Sequence, residues 1–300
     1  MKLENLLTEA RNQRTIQIDS LSTLEIVTLI NQEDQTVPTA VTAILPQIAQ
    51  AVDWITAALR AGGRLFYIGA GTSGRLGVLD ASECPPTYGT PPGQVVALIA
   101  GGPSAILQAV EGAEDSLTLA AEDLTKKQFA PPDILVGIAA SGRTPYVLGG
   151  LKYAKSQGCK TISLACSPGS EIGYAADLSL TVLTGPEVIM GSTRMKAGTA
   201  QKLVLNMLTT ATMISLGKVY SNLMVDLQAT NHKLQERAKR IVALAANISL
   251  SEADKALQAA HGSAKLAILM VLTGLDREPA IQLLKKNKGF IAASLEANKV

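Results

Sequence analysis

The chain has 300 residues, 47% hydrophobic and 17% charged, so it holds enough apolar sequence for a buried core and is not a disordered protein. Its net charge is only +2 and its aromatic content 3%, which argues against a nucleic acid or an anionic membrane as a partner. Two His and three Cys leave few residues for a metal site or for thiol chemistry. We therefore expect a small-molecule partner, no metal, and chemistry based on carboxylates, hydroxyls, Lys, Arg and backbone amides.

The cysteines and the apolar runs predict a reducing, cytoplasmic environment. Cys84, Cys159 and Cys166 are odd in number and lack Cys-x-x-Cys spacing, which disfavours disulfides and a zinc ribbon. Residues 1–14 lack the apolar stretch of a signal peptide. The longest apolar run near the carboxyl end, 266–272, is far shorter than the ~20 residues that span a bilayer.

The amino-terminal part predicts two helices. Ser22 and Glu25 have the spacing of a capping box, so a first helix is expected at about 23–31. Pro38 can open a second helix that ends near Gly62, because apolar residues recur at helical spacing between them.

An α/β pattern follows. Five short runs are rich in Val, Ile and Leu and are mostly separated by helical patterns: 64–68, 94–100, 133–139, 160–166 and 178–183. This alternation predicts a doubly wound α/β fold with a largely parallel five-stranded sheet.

The carboxyl-terminal third predicts helices only. Long helices are expected over 195–217 and 223–244, followed by short amphipathic ones over 251–260, 263–272 and 279–286. Since 300 residues correspond to about two domains, we predict one domain over 1–247, with its core at about 54–217, and a small helical domain over 248–300.

Two turns repeat the order strand, Ser-Gly-Arg, helix. One runs from Gly69 to Arg75 and the other from Ser141 to Thr144. A helix amino terminus exposes N–H groups and a partial positive charge, and nearby hydroxyls add donors for phosphate oxygens. The turns therefore predict a phosphate or sugar-phosphate site, although either turn alone could simply be a tight turn that needs glycine. The candidate binding residues are Gly71, Thr72, Ser73, Ser141, Gly142 and Thr144.

Other phosphate-binding motifs fit less well. Gly69, Gly71 and Gly74 satisfy G-x-G-x-x-G, but a dinucleotide site needs a carboxylate at the end of the next strand, and that strand leads into Gly101 and Gly102 instead. NAD binding is therefore disfavoured. A Walker A loop is excluded because no Lys follows the glycines.

The candidate acid–base groups are carboxylates. Pro85 and Pro86 predict a helix end just after Glu83, where the helix dipole disfavours a negative charge by about 0.3–1 kcal/mol and would help this carboxyl to act as a general acid. An exposed Glu at a frayed helix end is the alternative. Asp80, one turn earlier, has the same two interpretations with less support than Glu83.

A second acidic group, Glu111, Glu114 and Asp115, surrounds Gly112, which can form a turn that points one carboxylate inward. Spacing alone leaves open which of the three it is, and a solvated acidic surface is the alternative.

Basic residues lie near the start of the helix predicted at 195–217. Arg194, Lys196 and Lys202 follow Glu187, and they form either an ordinary charged turn or a site for an anionic substrate.

Several blocks of this sequence resemble the bacterial N-acetylmuramic acid 6-phosphate etherase family. They are 69–77, 80–87, 110–115, 139–146 and 191–202, and the likeness covers nearly the whole chain. The resemblance implies a sugar isomerase (SIS) domain, a homodimer, no metal or organic cofactor, and hydrolysis of the D-lactyl ether of the sugar phosphate during recycling of cell-wall amino sugars.

The resemblance also implies site residues. Glu83 matches the family's proton donor and Glu114 its second acid–base group. Thr72, Ser73, Ser141 and Thr144 match hydroxyl positions near the sugar phosphate, and Arg194 and Lys196 are candidates for holding the lactyl carboxylate.

Two other functions remain open on the same fold. One is a non-catalytic sugar-phosphate sensor, since the glucokinase regulatory protein shares several of these blocks. The other is a ketose–aldose phosphate isomerase.

Overall fold

A computed structural model describes residues 7–108, 110–228 and 232–299. The chain divides into two compact units. The first comprises Met1–Ser82 and Gly93–Thr209, and the second Glu83–Pro92 and Thr210–Val300.

The first unit begins with short 3-10 turns and three α-helices: α1 (Thr23–Asp34), α2 (Thr36–Thr42) and α3 (Leu45–Arg60). The capping box of α1 is confirmed, because the Ser22 hydroxyl accepts from the Glu25 backbone and the Glu25 carboxylate accepts from Ser22. The prediction of one helix from Pro38 to Gly62 was wrong. Pro46 has no N–H to donate to the carbonyl of Thr42, and its ring would crowd that carbonyl, so α2 ends at Thr42.

The sheet of the first unit has five parallel strands, and the predicted α/β fold is confirmed. The strands are β1 (Leu65–Gly69), β2 (Val95–Ile99), β3 (Ile134–Ile138), β4 (Lys160–Ala165) and β5 (Leu178–Thr181), in the order β2-β1-β3-β4-β5. The helices between and after them are α4 (Gly71–Tyr88), α5 (Leu119–Lys126), α6 (Pro145–Ser156), α7 (Glu171–Ala175) and α8 (Lys196–Ser215).

The centre of this sheet is buried throughout. Every residue of β1 and β3 is buried, which explains why both strands are continuous apolar runs rather than alternating ones. Phe66 packs edge-to-face on Phe129, and α6 covers the same core with Val147 and Leu151. This packing fixes the carboxyl ends of β1 and β3 as a rigid base for the loops that follow them.

The predicted end of α4 was wrong. The helix continues through Pro85 and Pro86 to Tyr88, so Glu83 is not at its carboxyl terminus. Proline supplies helical φ but loses one backbone hydrogen bond at each position. Near this end of the helix Cys84 is buried, and the Tyr88 hydroxyl lies 3.3 Å from that of Thr210 in the same unit.

Besides the carboxyl-terminal ends of α4 and α8, the described part of the second unit contains a short antiparallel pair and these helices: β6 (Val219–Tyr220), β7 (Leu223–Met224), α9 (His232–Ala246), α10 (Leu250–Ala259), α11 (Ala264–Thr273), α12 (Arg277–Lys286) and α13 (Ile291–Ala297). The helix predicted over 223–244 is therefore wrong in its first part. Val225 and Leu227 are buried in the helical core from a non-helical segment, and the regular apolar stripe begins only with α9.

The observed division also differs from the predicted boundary at 247/248. Ala238, Ile241 and Val242 of α9 lie in one apolar core with α10 and α11, which places α9 with the carboxyl-terminal helices.

In the part of the chain that the structure describes, no single helix is long and apolar enough to cross a membrane. Taken together, α10 and α11 are long and apolar enough to cross one by length and composition alone, but the two helices are bent by 107° relative to each other.

Candidate functional site

The sheet order creates a crevice at the carboxyl ends of β1 and β3. The chain leaves β1 toward β2 on one side, and β3 lies on the other side with Gly69 opposite Ile138. Such a switch in direction is where open parallel sheets bind ligands. Two loops emerge here, and we name them the first turn (residues 70–75) and the second turn (residues 139–144).

Glycines allow the first turn to pack tightly on its strand. A Cβ on Gly74 would lie 2.7 Å from the carbonyl oxygen of Gly69 and 2.6 Å from a side-chain carbon of Ile99. Gly71, with φ +52°, begins α4 directly after the strand. Gly74 therefore allows α4 to pack closely on β1.

The polar side chains of the first turn face inward. Ser73 is buried and its hydroxyl donates to Oε1 of Gln201 at 3.0 Å. Arg75 donates to the carbonyls of Ile106 and Ala105 at 2.7 and 2.9 Å, which ties α4 to the loop after β2. Thr72 is half-buried and lies near Gly198 of α8.

The second turn packs against the segment that follows β4. Gly142 has φ +72°, and a Cβ there would collide with Ser170. The Gly142 carbonyl accepts from Ile172 N–H at 3.0 Å. Thr144 is the N-cap of α6, and both Ser141 and Thr144 are half-buried. Their hydroxyls therefore remain accessible to a ligand at the helix amino terminus.

Glu114 is fixed beside the second turn. Residues 111–115 form a non-helical turn in which Gly112 has φ +72°, as its position in the sequence predicted. The Glu114 carbonyl accepts from the Tyr146 N–H of α6 at 3.0 Å, while its side chain is exposed.

A cavity of about 500 Å³ brings three predicted site residues together: Glu114, Ser141 and Thr144. Its other lining residues are Glu9, Asp115, Arg143, Pro145 and Glu171.

The cavity contains more acidic than basic side chains. Among the described residues that line it, Arg143 is the single cation. Its Nε lies 3.6 Å from a carboxylate oxygen of Glu171, and this partly exposed ion pair is weak enough to give way to a bound anion. Glu9 was missed by the sequence analysis, because it is about a hundred residues from Glu114 and carries no motif. Its side chain lies beside Gly191, where an added Cβ would be 3.2 Å from Glu9 Oε2.

Lys196 is already paired in this structure. It is buried, and its Nζ lies 2.7 Å from the carboxylate of Glu33, whereas Arg194 is exposed. Burial acts to raise the pKa of Glu33, but hydrogen bonds from Lys196 and Asn12 outweigh it and hold that pKa below its ordinary value.

The amino terminus of α8 is also occupied. Both oxygens of Glu187 accept from backbone N–H groups, those of Lys196 and Ala197, each at 2.9 Å. Burial raises the pKa of Glu187, although these bonds oppose that effect. This helix end therefore carries its own carboxylate and is not an open anion site.

Asp80 is a half-buried carboxylate within the first unit. Tyr67 and Thr209 donate to it, each at 3.0 Å, and burial raises its pKa to about 6. Glu83, one turn further along α4, is exposed and belongs to the second unit.

The described residues also include cysteine thiols and side chains of the types that bind metal ions. The three cysteines are free and buried, and burial raises the pKa of Cys166 to about 12. No group of three or more His, Cys, Asp and Glu side chains within these residues is arranged to hold a metal ion.

The second unit has a cavity of its own, about 600 Å³, lined in part by His232 and His261. Lys239 lies 3.1 Å from both Glu236 and Asp254, so the charges at this cavity are satisfied internally. None of the predicted site residues lines it.

Comparison with known proteins places these features in a family. Residues 47–155 match the glucokinase regulatory protein N-terminal SIS domain, and residues 116–211 match the SIS domain. A phosphoheptose isomerase structure from Francisella tularensis shares the fold, with a TM-score of 0.52 and 21% identity over 65% of this chain and 100% of that one.

Full-length relatives are much more similar. The N-acetylmuramic acid 6-phosphate etherases of Photorhabdus laumondii and Photobacterium profundum are 57% and 58% identical to this chain, in each case over 99% of both sequences. The chain belongs to the N-acetylmuramic acid 6-phosphate etherase family.

Proposed function

We propose that this protein cleaves the D-lactyl ether of N-acetylmuramic acid 6-phosphate with water, releasing N-acetylglucosamine 6-phosphate and D-lactate. The observation that carries the proposal is full-length identity of 57–58% to two etherases. The cavity lined by Glu114, Ser141 and Thr144 supports it, because a carboxylate and two hydroxyl side chains, the proposed base and phosphate ligands, share one cavity.

The sugar phosphate would bind at the two turns. Ser141 and Thr144 lie at the amino terminus of α6, where the backbone dipole and hydroxyl donors favour an anion, and Thr72 and Ser73 lie at that of α4. Gly71 and Gly142 let the backbone take the conformations that these turns need. No metal or organic cofactor is needed for this binding.

Elimination of lactate is the first chemical stage. In the open-chain sugar the C2 proton lies alpha to the aldehyde, so the Glu114 carboxylate can remove it as an enolate forms. The C3–O bond then breaks, its electron pair leaves with the lactyl oxygen, and Glu83 donates a proton to that oxygen.

Addition of water completes the reaction. Glu83, now ionised, takes a proton from water as the water oxygen bonds to C3 of the unsaturated aldehyde. Glu114 returns a proton to C2, so both carboxyl groups end in their starting states and the net reaction is hydrolysis.

Arg194 is the better candidate for the lactyl carboxylate. Its guanidinium is exposed, and guanidinium groups bind carboxylates with two parallel hydrogen bonds. Lys196 would first have to leave Glu33, and an unpaired buried carboxylate is costly.

Assay of D-lactate separates the candidate functions. The purified protein is mixed with N-acetylmuramic acid 6-phosphate, and release of D-lactate is expected. A sugar-phosphate sensor or a ketose–aldose isomerase would release none, and that result would overturn the proposal.

Running the same reaction in D₂O tests the mechanism. Deuterium is expected at C2 of the product, because the base exchanges its proton with solvent. Product with only hydrogen at C2 would contradict proton abstraction there, while leaving the etherase activity intact.

The proposal includes the cellular compartment and the oligomeric state of the enzyme. Three buried free cysteines and a phosphorylated substrate support a cytoplasmic role in recycling cell-wall amino sugars, and we propose that the protein is a homodimer. Light scattering of the purified protein tests the dimer, and a monomer mass would contradict it.

A further inference from the structure

Gln201 of α8 has one half of its amide satisfied and the other half buried without a partner. The residue is 1% exposed, and its Oε1 accepts the Ser73 hydroxyl at 3.0 Å. Within residues 7–108, 110–228 and 232–299, its Nε2 has no hydrogen-bond partner. A buried donor left unpaired costs about 1–3 kcal/mol, so this side chain calls for an explanation other than packing.

The present orientation of the amide uses up the Ser73 proton. A serine hydroxyl has one proton to donate and two lone pairs with which to accept. While Ser73 donates to Gln201, it has no proton for a phosphate oxygen. Its position in the first turn of α4 is nevertheless that of a phosphate donor.

Rotation of the amide by 180° removes this conflict. Nε2 then faces Ser73 and donates to its oxygen, while Oε1 takes the position that Nε2 leaves and gives up the Ser73 hydroxyl as its donor. The Ser73 proton becomes free and needs an acceptor. A phosphate oxygen at the amino terminus of α4 supplies that acceptor.

We propose that Gln201 is a positioning residue for sugar-phosphate binding: its amide turns over when the phosphate arrives and converts Ser73 from a donor to Gln201 into a donor to the phosphate. This inference rests on the proposed function, because it assumes that the phosphate binds at the first turn. Gln201 acts through Ser73 and touches no reacting atom.

Substitution by Glu tests the donor role. An ionised carboxylate only accepts, so Q201E holds the Ser73 proton away from the phosphate. Loss of a hydrogen bond to a charged group is worth about 10–100-fold in affinity. We expect Kd for N-acetylglucosamine 6-phosphate, measured by calorimetry at pH 8, to rise by about that factor, with KM following and kcat changing less than about threefold.

Q201M is the matched control, since it keeps the length of the side chain but neither donates nor accepts. Ser73 then keeps its proton, and Kd should rise by only about threefold. Lowering the pH protonates the introduced carboxyl of Q201E, which can then donate to Ser73. The Kd ratio of Q201E to wild type should therefore fall toward 1 at low pH, whereas the ratio for Q201M stays constant. Equal effects of the two substitutions at every pH would overturn the proposal.

A double-mutant cycle with S73A separates this inference from the proposed function. If Gln201 acts through Ser73, Q201E in the S73A background should raise Kd by no more than about threefold. A full 10–100-fold rise in that background would mean direct repulsion of the phosphate and would overturn the role of Gln201 alone. If S73A by itself leaves Kd unchanged, the phosphate does not bind at the first turn, and the inference falls together with that part of the proposed function. Thermal unfolding of each variant confirms that it is folded.

Discussion

The two turns share the sequence Ser-Gly-Arg but differ in what their side chains do. In the first turn Ser73 lies inside α4, buried against Gln201, and Arg75 binds backbone carbonyls. In the second turn Ser141 precedes α6, and both Ser141 and Arg143 line the cavity with Glu114. The first turn is therefore built into the core of its unit, and the second forms the wall of a cavity.

The difference arises from where each helix begins. Helix α4 starts at Gly71, before the motif, and so draws the serine and arginine into helical positions. Helix α6 starts at Pro145, after the motif, because proline favours the first helical position and the residue before it is extended. A shift of a few residues in the helix start thus gives the same three residues different roles.

The largest expected effect is at the cavity wall. Glu114→Gln removes the proposed base and should lower kcat by about 10²–10⁴-fold, while the thermal midpoint stays unchanged because the side chain is exposed. Asp115→Asn in the same cavity is the control and should retain kcat within about threefold. Rapid turnover by the Glu114 variant would remove this residue from the mechanism.

Asp80, on the same helix as the first turn, predicts a pH dependence of the free energy of unfolding. Burial raises the pKa of Asp80 to about 6 from 3.8, so the folded protein binds this proton more tightly than the unfolded chain. This contribution to the free energy of unfolding is fully present below about pH 4 and is lost as pH rises through about 6, by on the order of 3 kcal/mol.

Urea unfolding of wild type and Asp80→Asn between pH 4 and pH 7 measures this loss. The unfolding free energy of wild type minus that of the variant should decrease as the pH rises from 4 to 7. A difference that does not vary with pH would show that Asp80 does not titrate as described.

The serines give a smaller and more direct comparison. Ser73→Ala leaves the buried Gln201 amide without its partner and should cost about 1–3 kcal/mol of stability. Ser141→Ala should leave the free energy of unfolding within about 0.5 kcal/mol. Both substitutions should raise KM. Equal unfolding free energies of the two variants would contradict the assignment of Ser73 to the core and of Ser141 to the cavity wall.

The arginines should show the smallest effect. Arg75→Met loses hydrogen bonds to two carbonyls and should cost about 0.5–2 kcal/mol of stability without changing KM by more than about twofold. Arg143→Met should do the opposite, with KM altered and stability retained. Calorimetric melting measures the stability of the two variants and steady-state kinetics their KM. Equal changes in both quantities would contradict a structural role for Arg75 and a ligand-binding role for Arg143.

Local patterns in the sequence were enough to predict the sheet and its turns. Continuous apolar runs such as β1 and β3 identify buried parallel strands, and Ser22 with Glu25 identifies the start of α1. Gly112 marked the turn that holds Glu114. These features depend on residues close together in the chain, so spacing and composition carry them.

Features that depend on tertiary contacts were not predicted. Helix α4 passes through Pro85 and Pro86 and ends at Tyr88, whose hydroxyl lies 3.3 Å from that of Thr210, more than a hundred positions later. The pairing of Lys196 with Glu33 and the position of Glu9 at the cavity depend on amino-terminal residues that themselves belong to no motif. Secondary-structure propensity depends on neighbouring residues in the chain, so it cannot predict contacts between distant residues.

A crystal structure with N-acetylglucosamine 6-phosphate bound tests most directly whether the two turns share one phosphate. We expect its phosphate oxygens within hydrogen-bond distance of the hydroxyls of Ser73, Ser141 and Thr144, with C2 of the sugar facing the carboxylate of Glu114. A sugar phosphate bound away from both turns would contradict the account.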